Sequence, residues 1–164
     1  MIENKTYHVP PKSGLAKRLP ERAYTTALEN CLGVVLYSAE TGVVGLAHVY
    51  DTVGPARYSA DNVVESLLED MLAVDANVNI RTLRAHLIGE QELSLAFSGN
   101  RTLRVTAALR KREIRIVTQI VGGHLWKNIY VHDGPARMLF QGYLEDSVQR
   151  YGEFHAEQEE WLKL

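Results

Sequence analysis

Thiols are almost absent from this chain: Cys31 is its one cysteine. A single thiol cannot close an internal disulfide or build a multi-thiolate zinc site. The histidines are His8, His48, His86, His124, His132 and His155, and no two stand at the His-x-x-x-His spacing that holds a metal. Neither a metal nor a cofactor is therefore expected. An excess of either charge is also missing. The 18 basic and 20 acidic side chains leave a formal net charge of −2, which is no electrostatic footprint for nucleic acid. No apolar run reaches transmembrane length, so membrane insertion is not expected. The opening stretch, residues 1–14, is polar, carries Pro10 and Pro11, and lacks the apolar centre of a signal peptide. A cytoplasmic location follows as the expectation. Repeats, low-complexity tracts and long linkers are absent as well.

What the chain does have is enough apolar residue for a core. Hydrophobic residues make up 46% of its 164 positions and charged residues 23%, proportions of one globular domain. Leu32–Tyr37 and Val43–Tyr50, joined by Ser38-Ala-Glu-Thr-Gly42, read as a β-hairpin. Ser59 reads as the N-cap of a helix whose buried stripe is Val63, Val64, Leu67, Leu68, Met71 and Leu72. Leu83–Gly89 alternates as a strand. Ser98 is placed to cap a second helix running to about Arg112, with Leu103 and Leu109 facing inward. Ile114–Val121 reads as a strand closed by Gly122-Gly123. Asn128–Val131 and Met138–Gln141 read as a strand pair around Asp133-Gly134-Pro135. The charged tail, about 143–164, is read as a helix lying on a body of about 22–142. This order predicts a single-domain α/β sandwich with a mixed sheet and flanking helices over 1–164.

The hairpin also carries a chemical expectation. With an even loop, either Ala39-Glu40 or Ser38–Thr41, pairing outward sets Cys31 directly opposite His48. Directly opposed residues share a face, with backbones about 4.5–5.5 Å apart. An imidazole beside a thiol can take its proton and leave the nucleophilic thiolate. Backbone N–H groups of Asn30 and Cys31 could receive a developing oxyanion. The hydroxyl of Thr25 or Thr26 could hold the imidazole ring. Without such an arrangement, a lone cysteine at the start of an apolar strand is a packing residue.

These residues carry a family resemblance. Thr25 stands six positions before Cys31 and His48 stands 17 after it, with Val34-Val-Leu-Tyr37 and Val44-Gly-Leu-Ala-His48 between. The stretch resembles the chemoreceptor glutamine deamidases, the CheD family. The likeness continues through Ala85-His-Leu-Ile-Gly89, Ser98-Gly-Asn-Arg101, Ile114-Arg-Ile-Val117 and Gly122-Gly123. It implies a CheD-like fold and a cysteine-dependent protein-glutamine deamidase, a hydrolase of chemotaxis. Cys31, His48 and Thr25 would be its catalytic set, a chemoreceptor its substrate and a CheC-like phosphatase a possible partner. The chain departs from the family in carrying Glu29-Asn30 where Gly-Ser usually precedes the cysteine, and Trp126-Lys127 in place of a later Gly-Arg. The Cys/His/Thr outline is also similar to that of bacterial toxin deamidases, so an effector acting on a host protein is one rival reading. A binding module that kept the fold and lost turnover is the other, and Glu29-Asn30 favours it.

Overall fold

The computed structural model describes residues 5–90, 100–123, 125–132, 136–143 and 157–164. Its strands are β1 (Thr6–His8), β2 (Ser13–Arg18), β3 (Arg22–Thr25), β4 (Leu32–Tyr37), β5 (Val43–Val49), β6 (Arg84–Gly89), β7 (Arg115–Val121), β8 (Trp126–His132), β9 (Arg137–Tyr143) and β10 (Gln158–Lys163). The helices are α1 (Val63–Val74) and α2 (Arg101–Lys111), with a 3₁₀ turn at Ile80–Thr82.

The strands form two five-stranded sheets, ordered β1-β3-β8-β9-β10 and β2-β5-β4-β6-β7. Both are mixed. The β1/β3 and β6/β7 pairs are parallel and the remaining pairs antiparallel. The predicted α/β sandwich is thus present, as three layers. In β4 every side chain is buried, because the strand has core on both faces. Leu32, Val34 and Leu36 pack with Val63, Leu67 and Met71 of α1 and with Val105 and Leu109 of α2. Cys31, Val35 and Tyr37 point the other way, into a core shared with Ala23, Ile129, Val131, Met138 and Phe140 of the first sheet. This explains why the hairpin reads as continuous apolar runs and not as alternation.

Several expectations need correction. The hairpin loop holds residues 39–42 and closes with Ser38 N–H donating to the Val43 carbonyl at 2.9 Å. Gly42 takes a left-handed backbone (φ 71°) and belongs to the loop. The register is therefore two residues from the expected one: Gly33 lies opposite His48, and Leu32 opposite Val49. Ser59 is not the N-cap of α1; Asn62 is. The Ser59 hydroxyl instead donates to the Gly54 carbonyl at 3.1 Å and stitches the preceding loop. Asn100 caps α2 by accepting from Leu103 N–H at 3.0 Å; Ser98 lies outside the described residues. Leu103 is exposed, and the inner face of α2 is Thr102, Val105, Thr106 and Leu109. The end of the tail is not helical, because Gln158–Lys163 pairs with β9 as an edge strand. Residues 144–156 of the tail and the expected turn at 133–135 lie outside the described residues. The expected body began at about 22, yet β1 and β2 precede it.

Candidate active site

Thr25 ends β3 in the first sheet, His48 sits near the end of β5 in the second, and Cys31 lies between them in sequence. The chain crosses from one sheet to the other over residues 26–31, so the crossover delivers Cys31 to the edge where the two sheets meet. Ala27 adopts a left-handed backbone (φ 57°), a costly conformation for a residue with a Cβ. It is held there by hydrogen bonds to β8. Ala27 N–H donates to Asn128 Oδ1 at 3.0 Å, and Leu28 N–H donates to the Lys127 carbonyl at 2.9 Å. The Cys31 carbonyl accepts from Glu90 N–H at 2.8 Å, which fastens the turn to the end of β6.

The observed register keeps Cys31 and His48 on one face, because a shift of two residues preserves side-chain parity. Continued one residue beyond its last pair, Leu32 with Val49, the β4/β5 register makes them diagonal neighbours, a relation that sets backbones about 7–8 Å apart. The residue directly opposite His48 is Gly33, so no side chain stands beside the ring from that position. A Cβ there would come within 2.5 Å of Ile129 Cδ1 and 3.0 Å of Leu28 Cδ1.

Thr25 Oγ1 lies 2.7 Å from His48 Nδ1. The same hydroxyl donates to the Val9 carbonyl at 2.8 Å. A threonine has one O–H to give. With that proton directed at Val9, the ring must donate Nδ1–H to Thr25 Oγ1, and Nε2 carries the lone pair. Nε2 is buried and has no hydrogen-bond partner among the described residues. The tautomer thus presents a free base on the side away from threonine. Thr26, the other candidate for holding the ring, lines the cleft instead.

That cleft has a volume of about 420 Å³ and contains Cys31 and His48 together with Glu29, Asn30, Lys12 and Tyr50. Burial pushes the Cys31 thiol up to about 11; the Arg101 guanidinium opposes this, and the carboxylates of Glu29 and Glu90 reinforce it. Burial lowers His48 to about 4, with His8 acting in the same direction and the hydrogen bond with Val9 against it. Burial thus favours a neutral thiol and a neutral imidazole near pH 7 over the resting thiolate expected from sequence. No group of three or more His, Cys, Asp or Glu side chains fit to hold a metal occurs among the described residues.

Some participants had no local sequence signal. Val9 acts through its carbonyl, which no side-chain pattern reports. Asn128 is buried and braces the crossover turn from a distant strand. Lys127, one of the two residues that stand in place of the family's Gly-Arg, is buried, and its Nζ donates to the Gly89 and Gly122 carbonyls at 3.3 and 2.6 Å. Burial lowers its ammonium to about 8. Glu90 and Arg101 form a buried ion pair at 3.5 Å next to the Cys31 turn.

Among the described residues no helix is long and apolar enough to cross a membrane. No protein-family model matches the chain. A protein of Thermococcus kodakarensis named "Probable chemoreceptor glutamine deamidase CheD" is 32% identical over 149 residues, covering 80% of this chain and 86% of that protein. A Methanosarcina acetivorans protein named "Probable chemoreceptor glutamine deamidase CheD 2" is 32% identical over 121 residues. That match covers 68% of this chain but 54% of the relative, so the chain spans about half its length. Among solved structures, the C-terminal domain of CNFy from Yersinia pseudotuberculosis overlays 97% of this chain and 62% of that one at 8% identity with a TM-score of 0.45. A likeness that loose bears on neither fold nor substrate. The 32% identity to the Thermococcus protein, over 80% of this chain and 86% of that one, places this chain in the chemoreceptor glutamine deamidase (CheD) family.

Proposed function

We propose that this protein hydrolyses the side-chain amide of glutamine residues within a protein substrate, and that the substrate is a chemoreceptor. The observation that carries this reading is the Val9–Thr25–His48 relay, which leaves Nε2 as an unpartnered base in the cleft that holds Cys31. Family membership supports the choice of glutamine amides, since the related proteins are named for that reaction.

In this reading a neutral resting pair sets the order of events. His48 Nε2 takes the thiol proton as Sγ bonds to the carboxamide carbon, so charge need not stand in the buried cleft before substrate arrives. Backbone N–H groups of Asn30 and Cys31 face the developing oxyanion in this scheme. The imidazolium then protonates the nitrogen as the C–N bond breaks, and ammonia leaves. Water attacks the thioester while His48 takes its proton. That proton returns to sulfur as the C–S bond breaks, which regenerates thiol and imidazole and leaves glutamate. Thr25 keeps Nδ1–H engaged throughout and so holds Nε2 toward sulfur.

The cleft lining holds one cation, Lys12, and one acid, Glu29, but Lys12 Nζ lies 3.5 Å from Asp51 Oδ1, so this reading does not assign the two to the α-groups of a free amino acid. Arg22, the first residue of β3, is not among the residues that line the cleft with Glu29. The reading is tested by ammonia release from a receptor cytoplasmic segment and, in parallel, from free glutamine. Release from the protein with negligible release from the amino acid supports it; efficient release from free glutamine contradicts it. The non-catalytic binding module has one observation in its favour, the Glu29 carboxylate that opposes thiolate formation. Absence of turnover on any receptor segment by a folded protein would favour that module.

A further inference from the structure

A buried ion pair lies behind the nucleophile and is not used in the scheme above. Arg101, the first residue of α2, is almost completely buried, and so is Glu90 at the end of β6. Arg101 Nη1 stands 3.5 Å from Glu90 Oε1, and Thr102 Oγ1 donates to Glu90 Oε2 at 3.0 Å. Arg101 Nε donates to the Tyr50 carbonyl at 2.6 Å, and its guanidinium lies 5.9 Å from the Tyr50 ring centroid. Tyr50 lines the cleft, and Glu90 N–H holds the Cys31 carbonyl. Gly89, just before Glu90, passes so close that a Cβ there would sit 2.4 Å from the Cys31 carbonyl oxygen. The pair is therefore bound to the Cys31 backbone through Glu90 and to the cleft-lining Tyr50 through Arg101.

We propose that Arg101 is a positioning residue for the nucleophile, whose buried charge stabilises the sulfur anion formed during attack while Glu90 tethers that charge to the Cys31 backbone. This rests on the reading of Cys31 as nucleophile. The electrostatic setting agrees in sign. Of the charged groups facing Cys31, Glu29 on its own turn and Glu90 on β6 disfavour the anion, and Arg101 on α2 is the cation that opposes them. His48 on β5 is neutral near pH 7, and His8 acts on His48. A guanidinium suits the task, because it keeps its charge when buried.

If the ion pair were only a scaffold, removing either partner would disturb the turn in the same direction. If Arg101 acts through its charge, removing the two partners must have opposite effects. Cys31 is the sole thiol of the chain, so iodoacetamide alkylation of the whole protein reports on it alone. Below the thiol pKa the rate follows the thiolate fraction, and a tenfold change corresponds to one pH unit. At pH 9 the inference expects Arg101→Gln to react about tenfold more slowly than wild type and Glu90→Gln faster than wild type. Slower reaction in both neutral variants, or an unchanged rate in a folded Arg101→Gln protein, overturns it. Should Arg101→Gln not fold, Glu90→Gln decides: faster supports the inference, unchanged or slower overturns it. The assay contains no glutamine substrate, so a protein that deamidates nothing could still give the predicted opposed shifts, and the two readings fail separately.

Discussion

At the scale of single residues, the site depends on one proton's location. Thr25 gives its hydroxyl proton to Val9, and that choice fixes the tautomer of His48. Cys31→Ser and His48→Ala are each expected to remove most turnover, with His48→Ala costing about 10²–10⁴-fold as the loss of a general base. The two losses should not add, because the groups act as a unit. Thr25→Val leaves the base present but poorly aimed, and should lower kcat by up to about a hundredfold while the protein stays folded. Steady-state ammonia release on one receptor segment ranks the three variants; a Thr25→Val loss exceeding that of His48→Ala would contradict the assignment. The titrations set the pH profile of kcat/KM. With His48 at about 4 and Cys31 at about 11, the neutral pair persists across neutral pH. The profile should be flat there and fall only toward those limits. An inflection near pH 6.5, the ordinary value for a histidine, would mean that His48 is not held in the buried neutral state.

At the scale of elements, the hairpin and α1 were legible because their patterns are local. The apolar runs of β4 and β5 and the helical stripe Val63, Val64, Leu67, Leu68 and Met71 are buried, whereas Leu72, expected in that stripe, is exposed. The register was not legible to the residue. Thr41 turns inward to bond Ser38 Oγ at 2.8 Å, and Gly42 takes the left-handed conformation that ends the loop. Those choices depend on the folded turn. Face was predicted correctly although the direct pairing was not, since an even shift leaves each side chain on its original side. The cap assigned to Ser59 failed for a related reason: a hydroxyl that can cap a helix can equally stitch a loop. The close approach of β6 to Cys31 gives an element-scale prediction. Gly89 has φ 140° and no room for a Cβ against the Cys31 carbonyl. Gly89→Ala should cost about 1–3 kcal/mol of stability and reduce turnover in the protein that remains folded, as read by urea denaturation beside the activity assay. Full activity at wild-type stability would show that the β6 corner does not position Cys31.

At the scale of the whole molecule, long-range pairing was hidden from sequence. β10 reads Gln158-Glu-Glu-Trp-Leu-Lys163, a charged segment that resembles a solvated helix until β9 is beside it. Charge on an edge strand discourages pairing with other chains, and that same charge obscures the strand. β1 and β2 were missed because both are short or mostly polar, and what makes them strands is β3 and β5. Thr25 and His48 nevertheless could be paired by the family spacing, although the structure puts them on different sheets. Two buried histidines also tie global stability to pH. His48 and His86 are both lowered to about 4 by burial, and both ring nitrogens of His86 lack partners among the described residues. A depressed folded value means the stabilisation is complete above the unfolded value near 6.5 and is lost as pH falls toward 4. Each histidine should contribute on the order of 3 kcal/mol to that loss. His86→Phe should flatten the decline in urea midpoint between pH 6.5 and 4.5 relative to wild type; an unchanged slope would mean His86 is protonated in the folded protein.

The most direct test of the catalytic reading is tandem mass spectrometry of a chemoreceptor cytoplasmic segment after incubation with wild-type protein and with Cys31→Ala. The account predicts conversion of specific glutamines to glutamates by the wild type and none by the variant. Conversion that persists in Cys31→Ala, or its absence with folded wild-type protein across receptor segments, would contradict it.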